Sequence, residues 1–354
     1  MGSDMNLKTT RRRFVGVTAL AAAGPPAFSA EASAGPKSID AWGHVSLPRF
    51  MSAEEYLELM DANGVEAAIV GTAATCPNLT ELSRTAVRYG NRFRVIGMPS
   101  GRTPQERADC VKAQMDCGFQ GIRLQTTVAV REPELLDIIG KAGGTPYIEG
   151  NEAYRVAADT LVGFLERYPA CVVCGTHFAG PTDPSILSRD AAVARLFGHP
   201  RFLVIFSRQG YMDPVSLKAW TQAVVKVAGW DRLLYGSEFP VALWRDETLR
   251  STQTWIDTAG LAPTAAERNK FLLANARRVF FSSPRPARQI DAMWNRMNEK
   301  TDAPVWLFQK LGVDLPEEAH RQILKVYLAK GGDARAGSYR DFVTRLVVDM
   351  AQKL

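Results

Sequence analysis

Val65-Glu66-Ala67-Ala68-Ile69-Val70-Gly71 and Phe93-Arg94-Val95-Ile96-Gly97-Met98 are two short apolar runs with a helical stretch, Leu79–Tyr89, between them. Runs of this length read as strands, and a strand–helix–strand unit is the one that pairs its strands in parallel. The unit repeats in both directions. Upstream, Ser38–Val45 precedes a helical stretch over Ala53–Asn63. Downstream come Phe119–Gln125, Thr145–Gly150, Cys171–His177, Phe202–Ser207 and Arg232–Ser237, separated by helical patterns such as Ala153–Arg167 and Pro214–Ala228. Eight strands alternating with helices over about 245 residues predict an α/β fold, a (β/α)8 TIM barrel. The alternative, a doubly wound open sheet, lacks the Gly-x-Gly-x-x-Gly turn expected after its first strand.

The barrel takes residues 35–283 of 354, and a segment flanks it at each end. In residues 1–34, Thr10-Arg11-Arg12-Arg13-Phe14-Val15 sets a twin arginine before the short apolar run Val15–Ala23, and Ala30-Glu31-Ala32 and Ala32-Ser33-Ala34 suit cleavage. This stretch resembles a twin-arginine export signal, and it implies a soluble periplasmic or secreted protein. At the other end, Ser-Ser-Pro-Arg-Pro after Phe281 closes the repeat. Residues 284–354 read as a helical extension, with helices over Ile290–Lys300, Pro304–Leu311, Glu317–Lys330 and Ser338–Lys353. The apolar stripe of the last, Tyr339, Phe342, Leu346, Val347 and Met350, suits packing on the barrel or on a second subunit in a homo-oligomer. His320 in this extension reads as a surface histidine.

With 46% apolar and 23% charged residues the composition is that of a globular chain. The net charge of +6 falls to +4 without residues 1–34, because Lys8, Arg11, Arg12 and Arg13 leave together with Asp4 and Glu31. No basic block interleaved with aromatic residues remains, which argues against nucleic acid as a partner, and no later run is long and apolar enough for a membrane span. Five cysteines, Cys76, Cys110, Cys117, Cys171 and Cys174, are too few and odd in number for a disulfide framework. Cys171 and Cys174 lie three apart in a strand, so their thiols diverge and read as small buried hydrophobes.

In such barrels chemistry collects where strands end. The first strand reads Asp40-Ala41-Trp42-Gly43-His44, and alternation puts Asp40, Trp42 and His44 on one face. The sixth strand ends at His177 and the eighth at Glu238, in Asp231-Arg232-Leu233-Leu234-Tyr235-Gly236-Ser237-Glu238-Phe239-Pro240. Arg123, alternating with Ile122 and Leu124, points to the lumen, and Arg208 closes the seventh strand. Either arginine suits a substrate carboxylate, or an internal ion pair with Glu149 or Asp40. Glu149 is a third carboxylate at the mouth or a partner for arginine. Trp42, Tyr211 and Trp244 are candidates to line an aromatic pocket, and His199 reads as a loop residue at the opposite rim.

These segments resemble the amidohydrolase superfamily, in the amidohydrolase-2 branch that includes aminocarboxymuconate-semialdehyde decarboxylase and the pyrone-dicarboxylate lactonases. That family opens with an Asp-x-His-x-His strand, carries a His-x-Gly-like motif after strand six, and ends strand eight with Gly-Thr-Asp-x-Pro. Asp40–His44, Thr176–Gly180 and Asp231–Pro240 correspond, as does Asn275-Ala276-Arg277-Arg278-Val279-Phe280 to its closing helix. The chain departs in three places. Trp42 replaces the first metal-binding histidine, and an indole has no lone pair for a metal. Glu238 replaces Asp, and strand five lacks the His or Lys of two-metal members.

The resemblance implies an enzyme. His44, His177 and Glu238 would hold a single Zn²⁺ or Mn²⁺ if one is bound. The favoured expectation is a site with no metal or other cofactor, as the resemblance to the lactonases allows. There Glu238 is the general base on water, His44 and His177 handle charge on the reacting oxygen, and Arg123, Arg208 and Trp42 contact substrate. The expected activity is hydrolysis of a lactone, ester or amide of a small carboxylated or aromatic compound. Two alternatives are a metal-dependent non-oxidative decarboxylase of an aromatic acid, and a non-catalytic periplasmic binding protein with a degenerate site.

Overall fold

The computed structural model describes residues 36–45, 50–72, 77–245 and 247–294. The expected export segment, His320 and the helices expected beyond residue 294 lie outside the described residues. Eight parallel strands pair strictly in sequence order: β1 Ser38–His44, β2 Val65–Gly71, β3 Phe93–Gly97, β4 Gly121–Gln125, β5 Thr145–Glu149, β6 Val173–Gly175, β7 Phe202–Phe206 and β8 Leu233–Tyr235. The ends of the sheet meet through Glu238 N–H on the Trp42 carbonyl and His44 N–H on the Phe239 carbonyl, each 2.8 Å. The fold is the expected (β/α)8 barrel.

Both faces of each strand are buried, which is why the strands read as continuous apolar runs. Outward-facing Val173, Val204 and Phe206 pack with surrounding helices. Ile39, Ala41, Ala67, Ile69, Ile96, Tyr147, Cys174, Leu203, Ile205 and Leu234 form the lumen cluster, whose lower end Leu273, Ala276 and Phe280 plug. Cys174 belongs to this cluster and Cys171 to the outer one, so the two thiols diverge as alternation requires.

β6 and β8 are shorter than the apolar runs suggested. Shortly beyond their ends, His177 (φ 51°) and Glu238 (φ 56°) take the left-handed backbone, through which a strand cannot continue. The helix expected from Ala153 starts only at Ala158, because Glu152, Ala153 and Tyr154 are also left-handed, at φ 52–57°. The stretch 284–291 is not helical. Ser83 Oγ accepts the Ile290 N–H at 3.0 Å, and the Cys117 carbonyl accepts that of Arg288 at 2.9 Å, so the chain runs extended across two helices before a short turn at Ala292–Trp294.

Asn275 seals the plugged end. Its buried amide donates to the carbonyls of Trp230 (2.6 Å) and Leu233 (2.9 Å), pinning the closing helix to the start of β8. Asn275→Ala removes both bonds in a buried site, so we expect about 1–3 kcal/mol of destabilisation, read by urea denaturation.

Candidate active site

The mouth of the barrel is organised by an irregularity in β1. Asp40 pairs with Ala68 but Gly43 pairs with Val70, so β1 spends one more residue than β2 over the same span. This bulge overturns the expectation that Asp40 shares a face with Trp42 and His44. Ile39, Ala41 and Trp42 all reach the lumen, whereas Asp40 turns toward the helix Ala53–Ala62. There it accepts Tyr56 Oη (2.6 Å) and Ser237 Oγ (2.5 Å) on Oδ2, and the Ser237 (2.8 Å) and Trp42 (3.1 Å) N–H groups on Oδ1. Burial raises the Asp40 pKa above its usual value despite these four donors. A Cβ on Gly43 would collide with Tyr56 Oη, which explains the glycine. Asp40 is thus no partner for either arginine; it ties the end of β1 to the end of β8.

Held by that tie, the lumen-facing groups converge. His177 Nε2 lies 2.9 Å from Glu238 Oε2, His44 Nε2 3.4 Å from Oε1, and Arg208 Nη2 2.9 Å from Oε1. Beside them Arg123 Nη2 pairs with Glu149 Oε1 at 2.7 Å, and Gln125 Nε2 donates to Glu149 Oε2 at 2.8 Å. Glu149 Oε1 is 3.8 Å from His177 Nε2, which joins the two groups into one cluster. His44 and Glu238 are buried, while the Arg208 side chain, 34% exposed, forms the rim. His177, Arg208 and Glu238 all have left-handed backbones, conformations that non-glycine residues keep only where surrounding contacts hold them, and often at functional sites.

Burial by itself would raise the Glu238 pKa. The His177 charge and hydrogen bond, the hydrogen bond from His44 and the Arg208 charge outweigh it and hold the carboxyl well below the usual range. Glu149 is lowered likewise: Arg123 and His177 overcome its burial. Burial lowers the His44 pKa, so this imidazole is neutral at neutral pH. Its ring packs against Phe50 and the edge of Trp42, and Nδ1 has no hydrogen-bond partner among the described residues.

Trp42 sits fully buried beneath this cluster. Its indole stacks on Tyr147 at 5.4 Å, and Arg123 Cζ lies 5.6 Å from its ring centre. A Cβ on Gly71 would come within 3.2 Å of the Trp42 ring, and one on Gly236 within 3.1 Å of Trp42 Cβ, so Trp42 is packed against two positions that keep glycine. The donor set, as arranged, does not fit a resident divalent cation. Among the described residues no three His, Cys, Asp or Glu side chains are disposed to hold one. A guanidinium occupies Glu238, and the indole supplies no lone pair.

The strand-end rule located His44, His177, Arg208 and Glu238, and alternation along β4 located Arg123. The same reading put Glu149 at the mouth or beside an arginine, and the rule would also have placed Gln125, which ends β4. Tyr56 and Ser237 carried no signal, since their role depends on the bulge. Glu247 was missed as well: its Oε2 accepts the Gly210 N–H at 3.2 Å, and burial pushes its pKa up to about 7. Tyr211 lies against Arg208 and Arg245, with ring centre to Cζ distances of 5.4 and 4.5 Å, and donates to the Val241 carbonyl. The Trp244 side chain lies outside the described residues. His199 stays in the loop before β7, where Nδ1 accepts the Arg201 N–H.

A family model described as amidohydrolase matches residues 34–281. No curated protein matches the chain. Among solved structures, a protein from Pseudomonas putida described as a 2-pyrone-4,6-dicarboxylic acid hydrolase is similar at 20% identity and TM-score 0.52, over 69% of this chain and 97% of that one. An amidohydrolase from Burkholderia multivorans with bound zinc is similar at 17% identity and TM-score 0.53, over 70% and 99%. A dihydroxybenzoic acid decarboxylase from a Polaromonas species with bound manganese is similar at 15% identity and TM-score 0.50, over 70% and 97%. At these identities the likeness concerns the fold. No helix of the described residues is long and apolar enough to cross a membrane.

Proposed function

The chain belongs to the amidohydrolase family, and from that premise we propose that it hydrolyses a lactone, ester or amide bond of a small carboxylated compound without a metal ion. The supporting observation is the convergence of one ionised carboxylate and two imidazoles beneath two guanidinium groups at the barrel mouth. Arg208 and Arg123 take the substrate carboxylate. Drawing Arg208 toward the substrate withdraws a cation from Glu238 and raises its basicity. Glu238 then accepts a proton from water as the water oxygen bonds to the carbonyl carbon. Neutral His44 donates a hydrogen bond to the developing oxyanion. As the tetrahedral intermediate collapses, the bond to the leaving oxygen or nitrogen breaks, and His177, in contact with Glu238, passes the proton to it. The twin-arginine stretch supports export of the enzyme as part of the same proposal.

The test is a panel of carboxylated lactones, esters and amides, with products identified by NMR and metal content measured on protein purified without chelator. Hydrolysis at full rate with no stoichiometric metal is the expected result. Release of CO2 from an aromatic acid by metal-loaded protein would replace this reading with a carboxy-lyase, and binding without turnover would replace it with a binding protein. Within the panel, Arg123→Ala should raise KM by about 10–100-fold, with a smaller change in kcat, because a charge-assisted bond to the substrate is lost in ground and transition state alike.

A further inference from the structure

We propose that Arg208 is the built-in cation of this site, seated where a divalent metal would otherwise be held by His44, His177 and Glu238, so that the barrel carries a masked metal site. The inference rests on the metal-independent reading above and concerns why that reading holds for this chain.

Three observations carry it. Donor atoms around a tetrahedral zinc, at about 2.0–2.1 Å from the ion, lie roughly 3.3–3.5 Å from one another. His44 Nε2 is 3.4 Å from Oε1 of Glu238, at this spacing, and His177 Nε2 is 2.9 Å from Oε2, closer than it, so the two imidazoles flank one carboxylate without forming a metal-holding set as they stand. Second, the Arg208 guanidinium lies 2.9 Å from Oε1, the same oxygen that His44 approaches. A cation arriving there would meet a fixed positive charge at close range, and in a buried site that repulsion is weakly screened. Third, His44 Nδ1 is buried without a hydrogen-bond partner among the described residues, and Nε2 meets Glu238 only at 3.4 Å. Trp42 limits the site to three protein donors, since its indole, held against Gly71 and Tyr147, neither coordinates nor withdraws.

The test compares Zn²⁺ binding by equilibrium dialysis, and Co²⁺ binding by visible absorption, in the wild-type protein, Arg208→Ala and Arg208→Gln. Removal of the guanidinium should tighten binding at least about ten-fold and give one equivalent with the absorption of a low-coordinate Co²⁺ site. Adding Glu238→Gln to Arg208→Ala should abolish the gain. Arg208→Gln keeps a donor beside Glu238 without the charge, so it reports the same gain if the alanine variant does not fold. Thermal melts establish which variants are folded.

Wild-type protein binding one equivalent as tightly as Arg208→Ala would overturn the proposal. So would folded Arg208 variants that bind no better than wild type, or a gain that survives Glu238→Gln. Failure of the hydrolysis reading is seen separately. Wild-type protein without turnover on the panel leaves the metal comparison intact, and an active wild type with unimproved Arg208 variants sinks the masked site alone.

Discussion

Glu238→Gln should lower kcat on the hydrolysed substrate by about 10²–10⁴-fold while the barrel stays folded, which is the range that a positioned general base contributes. The amide keeps the size of the side chain and an oxygen for His177 or Arg208, but it cannot take a proton from water. Its nitrogen also faces Arg208 or His44, both within 3.4 Å of Oε1 in the wild type. Steady-state kinetics over a pH series checks this. A variant that keeps more than about a tenth of wild-type kcat removes Glu238 from the chemistry.

The same substitution alters stability against pH in a direction fixed by the pKa shift. Glu238 is depressed below its usual value of 4.5. Its contribution is therefore present above that value and is lost as pH falls through the lower folded value. His44, lowered from 6.5, acts in the same sense: the folded state resists its protonation, so stability it confers above 6.5 declines on acidification. Urea denaturation should show wild type and Glu238→Gln converging as the pH is lowered, with the wild type losing more.

Asp40→Ala should cost about 3–5 kcal/mol and most of the activity, although Asp40 touches neither the imidazoles nor the guanidinium groups. The substitution strands four buried donors: Tyr56 Oη, Ser237 Oγ and two backbone N–H groups. It also unties the bulge that aims Trp42 and His44 from the strand end that carries Glu238. Asp40→Asn should be far milder, at about 1 kcal/mol, because its oxygen still accepts both backbone N–H groups and the two hydroxyls can accept from its amide. The pH dependence here has the opposite sign. Asp40 is raised above 3.8, so ionisation works against the fold. The folded form of the wild type is favoured relative to the Asn variant at low pH, and this advantage is lost as pH rises through the folded pKa. Equal losses for the Ala and Asn variants would mean that the tie does not matter, and chemical denaturation at two pH values distinguishes the cases.

Much of this molecule is legible in its residues. Eight apolar runs spaced by helical stretches specify the barrel, because a parallel strand buried on both faces leaves a compact hydrophobic signature. Strand-end position also picks out His44, His177, Arg208 and Glu238, since a polar side chain at the end of an otherwise apolar strand has no packing reason to be there, and alternation along β4 picks out Arg123. Strict alternation fails at Asp40, because one extra residue in β1 inverts the side-chain parity, and a single-residue bulge leaves no mark in hydrophobic periodicity. The left-handed residues that cut β6 and β8 short are non-glycine, so they too are silent in the sequence.

The order of side chains along the chain determined the fold and which chemical groups would stand at the barrel mouth, because burial pattern is a local property that each strand and helix records for itself. Which carboxylate meets which cation was decided only by the folded barrel. Arg123 with Glu149 and Arg208 with Glu238 are pairs between strands, and they depend on register, on the β1 bulge and on backbone geometry at three strand ends. Charge pairing falls off over a few ångströms in space and carries no trace along the sequence, so it emerges only when the strands are assembled.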